Sequence, residues 1–255
     1  GYSQLVLEDA ADAEDTETAA DLERIHSAGH HLLRLVNEIL DLSKIEAGKM
    51  ELDSETLDIV PLLEEVVEQY RDAAERGGNS LSMSFDPGLG SIVCDGAKLR
   101  QALSQVLDNA VKFTHGGAIR LIASRSGFGH EQRLNLRVED TGIGIARDQI
   151  ANLFEQFTVG DDSSASKYGG TGLGLALSRK LCRLMHGDIL AESREGVGSA
   201  FTVIVPVAPP SDDRSPPEPD EPETLAVPMD RFGARMAAVI QRNTLKTVNT
   251  VGTHA

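Results

Sequence analysis

Asp140-Thr-Gly-Ile-Gly-Ile145 is the stretch on which the reading of this chain turns. The apolar residues Leu134, Leu136 and Val138 alternate ahead of it, which predicts a strand that delivers Asp140 to a sheet edge. Gly142 and Gly144 then predict a tight turn whose backbone can approach another surface without a Cβ in the way. Taken alone, the stretch is equally a capped turn before a helix starting near Ala146. Two companions change its meaning: Asn109-Ala-Val-Lys-Phe-Thr114 upstream and Gly170-Thr-Gly-Leu-Gly-Leu175 downstream. Short glycine-rich runs are common in turns, so no single member decides the matter. Their order and spacing do, and they point to a nucleotide.

The chemistry of the three stretches is complementary. An ionised Asp140 can accept the exocyclic amine of adenine, a contact guanine does not reproduce. A helix capped by Asp95 carries Leu99, Leu103, Val106, Leu107 and Ala110 toward a core and leaves Asn109 on another face. The Asn109 carboxamide oxygen suits Mg2+, which takes hard oxygen ligands and keeps waters and phosphates in its shell. Gln105 lies one turn earlier on that face, within reach of metal, water or phosphate, and Lys112 brings a positive charge toward the phosphate tail. Gly169, Gly170, Gly172 and Gly174 lead into a helix containing Leu173, Leu175, Ala176, Leu177 and Leu181. Free amides at such a helix start coordinate phosphate oxygens. The run lacks the Gly-Lys-Ser/Thr ending of a P-loop. The polar residues 158–170 suit a lid over ATP, with Lys167 as a phosphate contact. The expected cofactor-binding set is therefore Asn109, Lys112, Asp140, Gly142, Gly144, Lys167, Gly170, Gly172, Leu173 and Gly174. Lys112 and Gln105 are the candidate catalytic contributors, and Asn109 and Gln105 the candidate metal ligands.

Composition bounds the rest. The formal charge of -16 disfavours general nucleic-acid binding, which needs phosphate neutralisation. That acidity is unevenly spread: residues 8–23 hold eight acids with no Lys or Arg, and residues 212–223 hold six acids against Arg214. No uninterrupted apolar run reaches the length of a membrane span, so none is expected in this segment. Cys94 and Cys182 fit no metal-ligand spacing and read as core thiols in a reducing cytoplasm.

Three regions follow. Residues 1–48 form a partial helical hairpin, with Leu22, Ile25, Gly29, Leu32, Val36 and Ile39 recurring every three or four residues and Leu33 and Leu40 widening the stripe. A helix ending near Gly48 would leave that face uncovered, and a second copy is an economical cover. His26, His30 and His31 read as surface or packing residues of this helix. Residues 49–207 form one α/β domain, predicted as a two-layer sandwich from its mixture of helices and adjacent strands. Strands are expected from Met50 to Leu57 and at 81–85, 92–94, 118–124, 134–140, 188–194 and 200–205, with helices from Pro61, after Asp95, and around 148–154 and 173–186. Residues 208–255 open with Pro, Asp, Glu and Ser and are expected to be a linker and poorly ordered tail.

These residues resemble the sensor histidine kinases, within the wider ATPases that include gyrase and heat-shock chaperones. Leu99 to Thr114 resembles the N box, Asp140 to Ile145 the G1 box, Leu153-Phe-Glu-Gln-Phe157 the F box and Gly170 to Leu175 the G2 box. Gly196-Val-Gly-Ser-Ala-Phe201 is similar to the final glycine element. Leu40-Asp-Leu-Ser-Lys-Ile-Glu-Ala-Gly48 resembles the exit from the family's dimerisation helix. The resemblance implies a Bergerat ATP-binding sandwich, with Asn109 on Mg2+, Asp140 on adenine and Lys112 on phosphate. It also implies a homodimeric parent that passes phosphate to a response-regulator receiver domain. A cytoplasmic location follows, in a parent that can be membrane-anchored. Two departures stand out. Position 105 is commonly Asn in the family and is Gln here. The His-Glu/Asp-Leu/Ile-Arg-Thr-Pro acceptor run, expected just before Gly1-Tyr-Ser-Gln-Leu5, does not occur in the chain, which suggests a piece beginning downstream of it. A chaperone-like ATPase would place Glu near Gln105 to activate water, and a serine-phosphorylating relative would lack the upstream helix. The different-class alternative is a non-catalytic nucleotide-dependent interaction module.

Overall fold

The structure, a computed structural model, describes residues 16–156 and 172–208. Within those residues the chain divides into two units between Met50 and Glu51.

The first unit is helix α1, Thr16–Glu46. Its end is fixed by Gly48 at φ 62°, with the Gly48 amide donating to Ile45 O and the Lys49 amide to Lys44 O. That paired pattern satisfies the last carbonyls, and a glycine adopts the left-handed conformation at no steric cost. Ile25, Leu32, Leu33, Val36, Ile39 and Leu40 are all exposed along α1. His26 is half-buried there.

The second unit begins with an irregular stretch, in which the Asp53 amide donates to Asp95 Oδ2 at 3.0 Å. The strand expected from Met50 is therefore shorter: β1 covers only Glu55–Asp58. Helix α2, Ile59–Arg76, starts where Asp58 Oδ1 accepts the Val60 amide, so the cap precedes Pro61 by three residues. Strands β2 (Ser80–Phe85) and β3 (Ser91–Cys94) follow. Asp95 caps α3, Gly96–Phe113, by accepting the Lys98 amide at 2.9 Å. Then come β4 (Ala118–Ser126), β5 (Arg133–Asp140), a one-turn α4 (Arg147–Ile150), α5 (Gly174–Leu184), β6 (Asp188–Arg194) and β7 (Gly198–Pro206). The helix expected over 148–154 is cut short at Ile150, and turns continue to Gln156.

One five-stranded sheet runs β2-β4-β5-β7-β6, with β2 parallel to β4 and the other pairs antiparallel; β1 and β3 form a separate antiparallel pair. Alternation along the sheet puts Ile119, Leu121, Leu134, Leu136, Val203 and Val205 on one buried face. Helices α2, α3 and α5 contact that sheet, and their buried faces carry Leu63, Val66, Leu99, Leu103, Leu107, Leu177 and Leu181. The result is the two-layer α/β arrangement of the expected sandwich. On the opposite face Arg137 pairs with Glu139 at 2.8 Å and with Glu192 at 2.6 Å. Both cysteines are buried free thiols, and burial pushes each up to about 12. No described helix is long and apolar enough to cross a membrane.

Candidate nucleotide site

Asp140 ends β5, but β5 lies inside the sheet rather than at its edge: Asp140 stands opposite Ile119 of β4 and Ser199 of β7. The expectation of a sheet-edge acid is corrected accordingly, and the side chain, on the face that carries Leu134, Leu136 and Val138, is only 5 % exposed. Oδ1 accepts the Gly142 amide at 2.8 Å and the Ser199 amide at 3.2 Å. Oδ2 has no partner among the described residues. Burial pushes the Asp140 carboxyl up to about 6, against the two backbone donors that favour its charge. An acceptor held rigidly by one oxygen, with the other open, is suited to a ligand amine.

The G1 turn is packed against protein backbone. A Cβ on Gly142 would strike the carbonyl of Phe113 at the end of α3. Gly144 has φ 69°, and a Cβ there would strike the carbonyl of Arg194. The Ile143 amide donates to Phe113 O at 3.2 Å, and the Gly196 amide donates to Ile143 O at 2.7 Å. Close approach to a flat base was the expected use of these glycines. The structure adds a requirement from within the protein.

Two residues that sequence reasoning missed organise this turn. Ser193 Oγ accepts the Ile145 amide at 2.8 Å, donates to Gly198 O at 3.0 Å and lies 2.9 Å from Ser199 Oγ. Asn79 bridges the exit of α3, with Nδ2 donating to Thr114 O at 2.7 Å and Oδ1 accepting the Gly117 amide at 2.9 Å. Thr141 Oγ1 then accepts the Ala118 amide at 2.9 Å, so the exit loop and the G1 turn are joined. The only sequence sign was Gly77-Gly78 before Asn79, a turn signal that says nothing of a partner 35 residues away.

On α3, Asn109 is half-buried and its carboxamide has no hydrogen-bond partner among the described residues. The Lys112 ammonium lies 5.0 Å from the centroid of the adjacent Phe113 ring. Gln105 faces α5: a Cβ on Gly174 would strike Gln105 Oε1. Gly172 takes φ 67°, and Leu173, only 1 % exposed, seals the start of α5 while its carbonyl accepts the Leu177 amide. Ser178 Oγ donates to Gly174 O at 2.9 Å, and lies 3.4 Å from Ala102 O of α3. The structure thus brings Gln105 to Gly174, and Asp140 to Gly142. Lys167, Gly169, Gly170 and the proposed lid fall outside the described residues.

Comparison with known proteins matches residues 94–209 to the histidine kinase-, DNA gyrase B- and HSP90-like ATPase family, and residues 1–48 to the His Kinase A phospho-acceptor domain. The chain belongs to the sensor histidine kinases. Residues 94–209 are the part that matches the ATPase family. Hybrid signal transduction histidine kinase B of Dictyostelium discoideum is 38% identical over 73% of this chain and 10% of its own length. The circadian input-output histidine kinase CikA of Synechococcus elongatus is 41% identical over 72% of this chain and 24% of its own. The chain thus spans about a quarter or less of these curated relatives. Full-length ShkA, solved in complex with AMPPNP, is similar at a TM-score of 0.65 and 33% identity, covering 77% of this chain and 40% of ShkA. The Acinetobacter baumannii histidine kinase AdeS shares the fold at a TM-score of 0.59 and 22% identity.

Proposed function

We propose that this chain binds ATP with Mg2+ and presents its γ-phosphoryl group to a histidine of the parent protein, for relay to a response-regulator aspartate. The observation that carries the reading is the half-satisfied Asp140 carboxylate, whose Oδ2 is left to accept the adenine amine. The chain's residues fit these groups: among the described residues the Asn109 carboxamide has no hydrogen-bond partner, and Gly172 and Gly174 stand at the start of α5. Asn109 would hold Mg2+, with Gln105 as a second ligand; the ion would offset charge on the phosphates. Gly170, Gly172, Leu173 and Gly174 would offer amides to phosphate oxygens, with Lys112 and Lys167 adding charge. A histidine nitrogen would bond to the γ-phosphorus as the bond to the bridging oxygen breaks and ADP departs. The site's part would be to orient that nitrogen, since a neutral imidazole needs no strong base.

The exposed apolar stripe of α1 supports a homodimeric parent, in which a second α1 covers Leu32, Val36 and Ile39. A receiver domain is the proposed onward acceptor, and a cytoplasmic location the proposed setting. A water-activating ATPase is disfavoured because Gln105 cannot act as a general base. A second reading is favoured by one observation: the Gln105 amide oxygen faces Gly174 of α5. That suits a non-catalytic nucleotide-dependent interaction module. Radiolabelled ATP and magnesium, incubated with this chain and a kinase-dead partner carrying an intact acceptor helix, separate the two. Label on the partner's histidine supports transfer; nucleotide binding without label supports the interaction module.

A further inference from the structure

Phe154, Arg179 and Asp188 form an arrangement that the nucleotide contacts do not use. Arg179 stands in the second turn of α5, with its guanidinium carbon 4.8 Å from the centroid of the Phe154 ring. That distance is within cation–π range, and a guanidinium can also lie flat on an aromatic face. Its Nε donates to Asp188 Oδ1 at 3.0 Å and its Nη2 lies 3.5 Å from Oδ2. Asp188 opens β6 and is itself held by the Ile189 amide at 2.8 Å and by Arg183 at 3.4 Å. The carboxylate therefore fixes the guanidinium from one side and leaves it available to the ring.

Phe154 belongs to the turns that continue α4. Helix α4 has no side-chain cap and packs on β6, and Ala151, Asn152, Glu155 and Gln156 are exposed beyond it. The turns hold their own shape, through the Asn152 amide on Gln149 O and the Glu155 amide on Asn152 O. The Phe154 ring adds a contact from these turns to α5. On that helix Ser178 Oγ donates to Gly174 O in the first turn and lies 3.4 Å from Ala102 O of α3.

We propose that Arg179 is a positioning residue for the triphosphate: held by Asp188, it stacks on Phe154 and fixes the turn after α4 to the helix whose first turn receives the phosphates. The inference rests on the nucleotide reading above and adds to it a residue that touches no part of the nucleotide. Because Arg179 lies on α5 rather than beside Asp140, its effect falls on the phosphates and spares adenine.

The test titrates the 255-residue chain with Mg-ATP and, separately, with adenosine. Arg179→Ala and Phe154→Leu each weaken Mg-ATP by roughly three- to tenfold, the range expected of a partly desolvated cation–π contact. The double variant is no weaker than either single one, since the two side chains act as a unit. Phe154→Tyr restores wild-type affinity, Arg179→Lys falls between, and adenosine affinity stays within about twofold throughout. Phe154→Leu leaves the Arg179–Asp188 pair intact, so it answers the question even if Arg179→Ala unfolds. Folded variants that bind Mg-ATP like wild type, or whose losses simply add, overturn the role of Arg179. A folded wild type that takes up neither ligand overturns the nucleotide reading itself.

Discussion

The Ser199 amide donates to Asp140 Oδ1 at 3.2 Å, joining residues 59 apart in sequence. The contact exists because β7 pairs with β5 and Gly198 passes so close to Asp140 that a Cβ would strike the Asp140 carbonyl. The final glycine element and the G1 box thereby form one acceptor, with one carboxylate oxygen committed and one open. Several measurable consequences come from that burial.

The first is a pH dependence of stability in the nucleotide-free chain. Asp140 moves from an ordinary 3.8 to about 6 on folding, so between those values the folded state binds more protons than the unfolded state. Stability from this group therefore falls as pH rises from about 4 to 6, by about 3 kcal/mol at most, and levels off above. Urea midpoints measured at each pH for wild type and Asp140→Asn should show this contribution in wild type and lose it in the variant. Equal slopes in both would place the titration elsewhere.

Nucleotide affinity should run the other way. The adenine amine favours an ionised acceptor, so ATP affinity should drop as pH falls through about 6, by up to about tenfold per unit. Calorimetric titrations between pH 5 and 8 check this, with Asp140→Asn giving a weak and flat profile. A wild-type affinity that rises on acidification would contradict the assignment.

Gly142→Ala and Gly144→Ala should each destabilise the fold as well as weaken binding. The new methyl meets a backbone carbonyl, of Phe113 in one case and Arg194 in the other, and Gly144 also has φ 69°. Backbone cannot swing aside as a flexible side chain can, so a loss of about 1–3 kcal/mol or more is expected in denaturant midpoints. Variants as stable as wild type would show that the turn has room.

Much of this was legible in the chain itself. Alternation at Leu134, Leu136 and Val138 gave β5, and Asp95 ahead of Leu99 and Leu103 gave the cap and buried face of α3, because both signals are local and periodic. Strand order was not legible, and that is why Asp140 was assigned to an edge: nothing in residues 133–140 says that β4 and β7 flank them. Ser193 and Asn79 escaped for a similar reason, since each acts through backbone far along the chain. Gln105 was placed on the correct helix, but its neighbour Gly174 comes from a separate helix.

Asn79→Ala should loosen the α3 exit and with it the nucleotide site. It removes two hydrogen bonds from a side chain only 5 % exposed and strands the Thr114 carbonyl and Gly117 amide. A loss of about 2–3 kcal/mol in thermal or chemical unfolding is expected, with weaker ATP binding in the fraction still folded. Wild-type stability in this variant would mean that water replaces both contacts at no cost.

The central claim is that adenine rests on Asp140 while magnesium and phosphate depend on Asn109, and one calorimetric series tests both halves. Wild type, Asp140→Asn and Asn109→Ala are titrated with ATP and with GTP, each with and without magnesium. The expected result is a wild type that prefers ATP, an Asp140→Asn variant weakened by about 2 kcal/mol with that preference lost, and an Asn109→Ala variant whose remaining affinity no longer responds to magnesium. Folded variants that retain both the ATP preference and the magnesium response of wild type would contradict it.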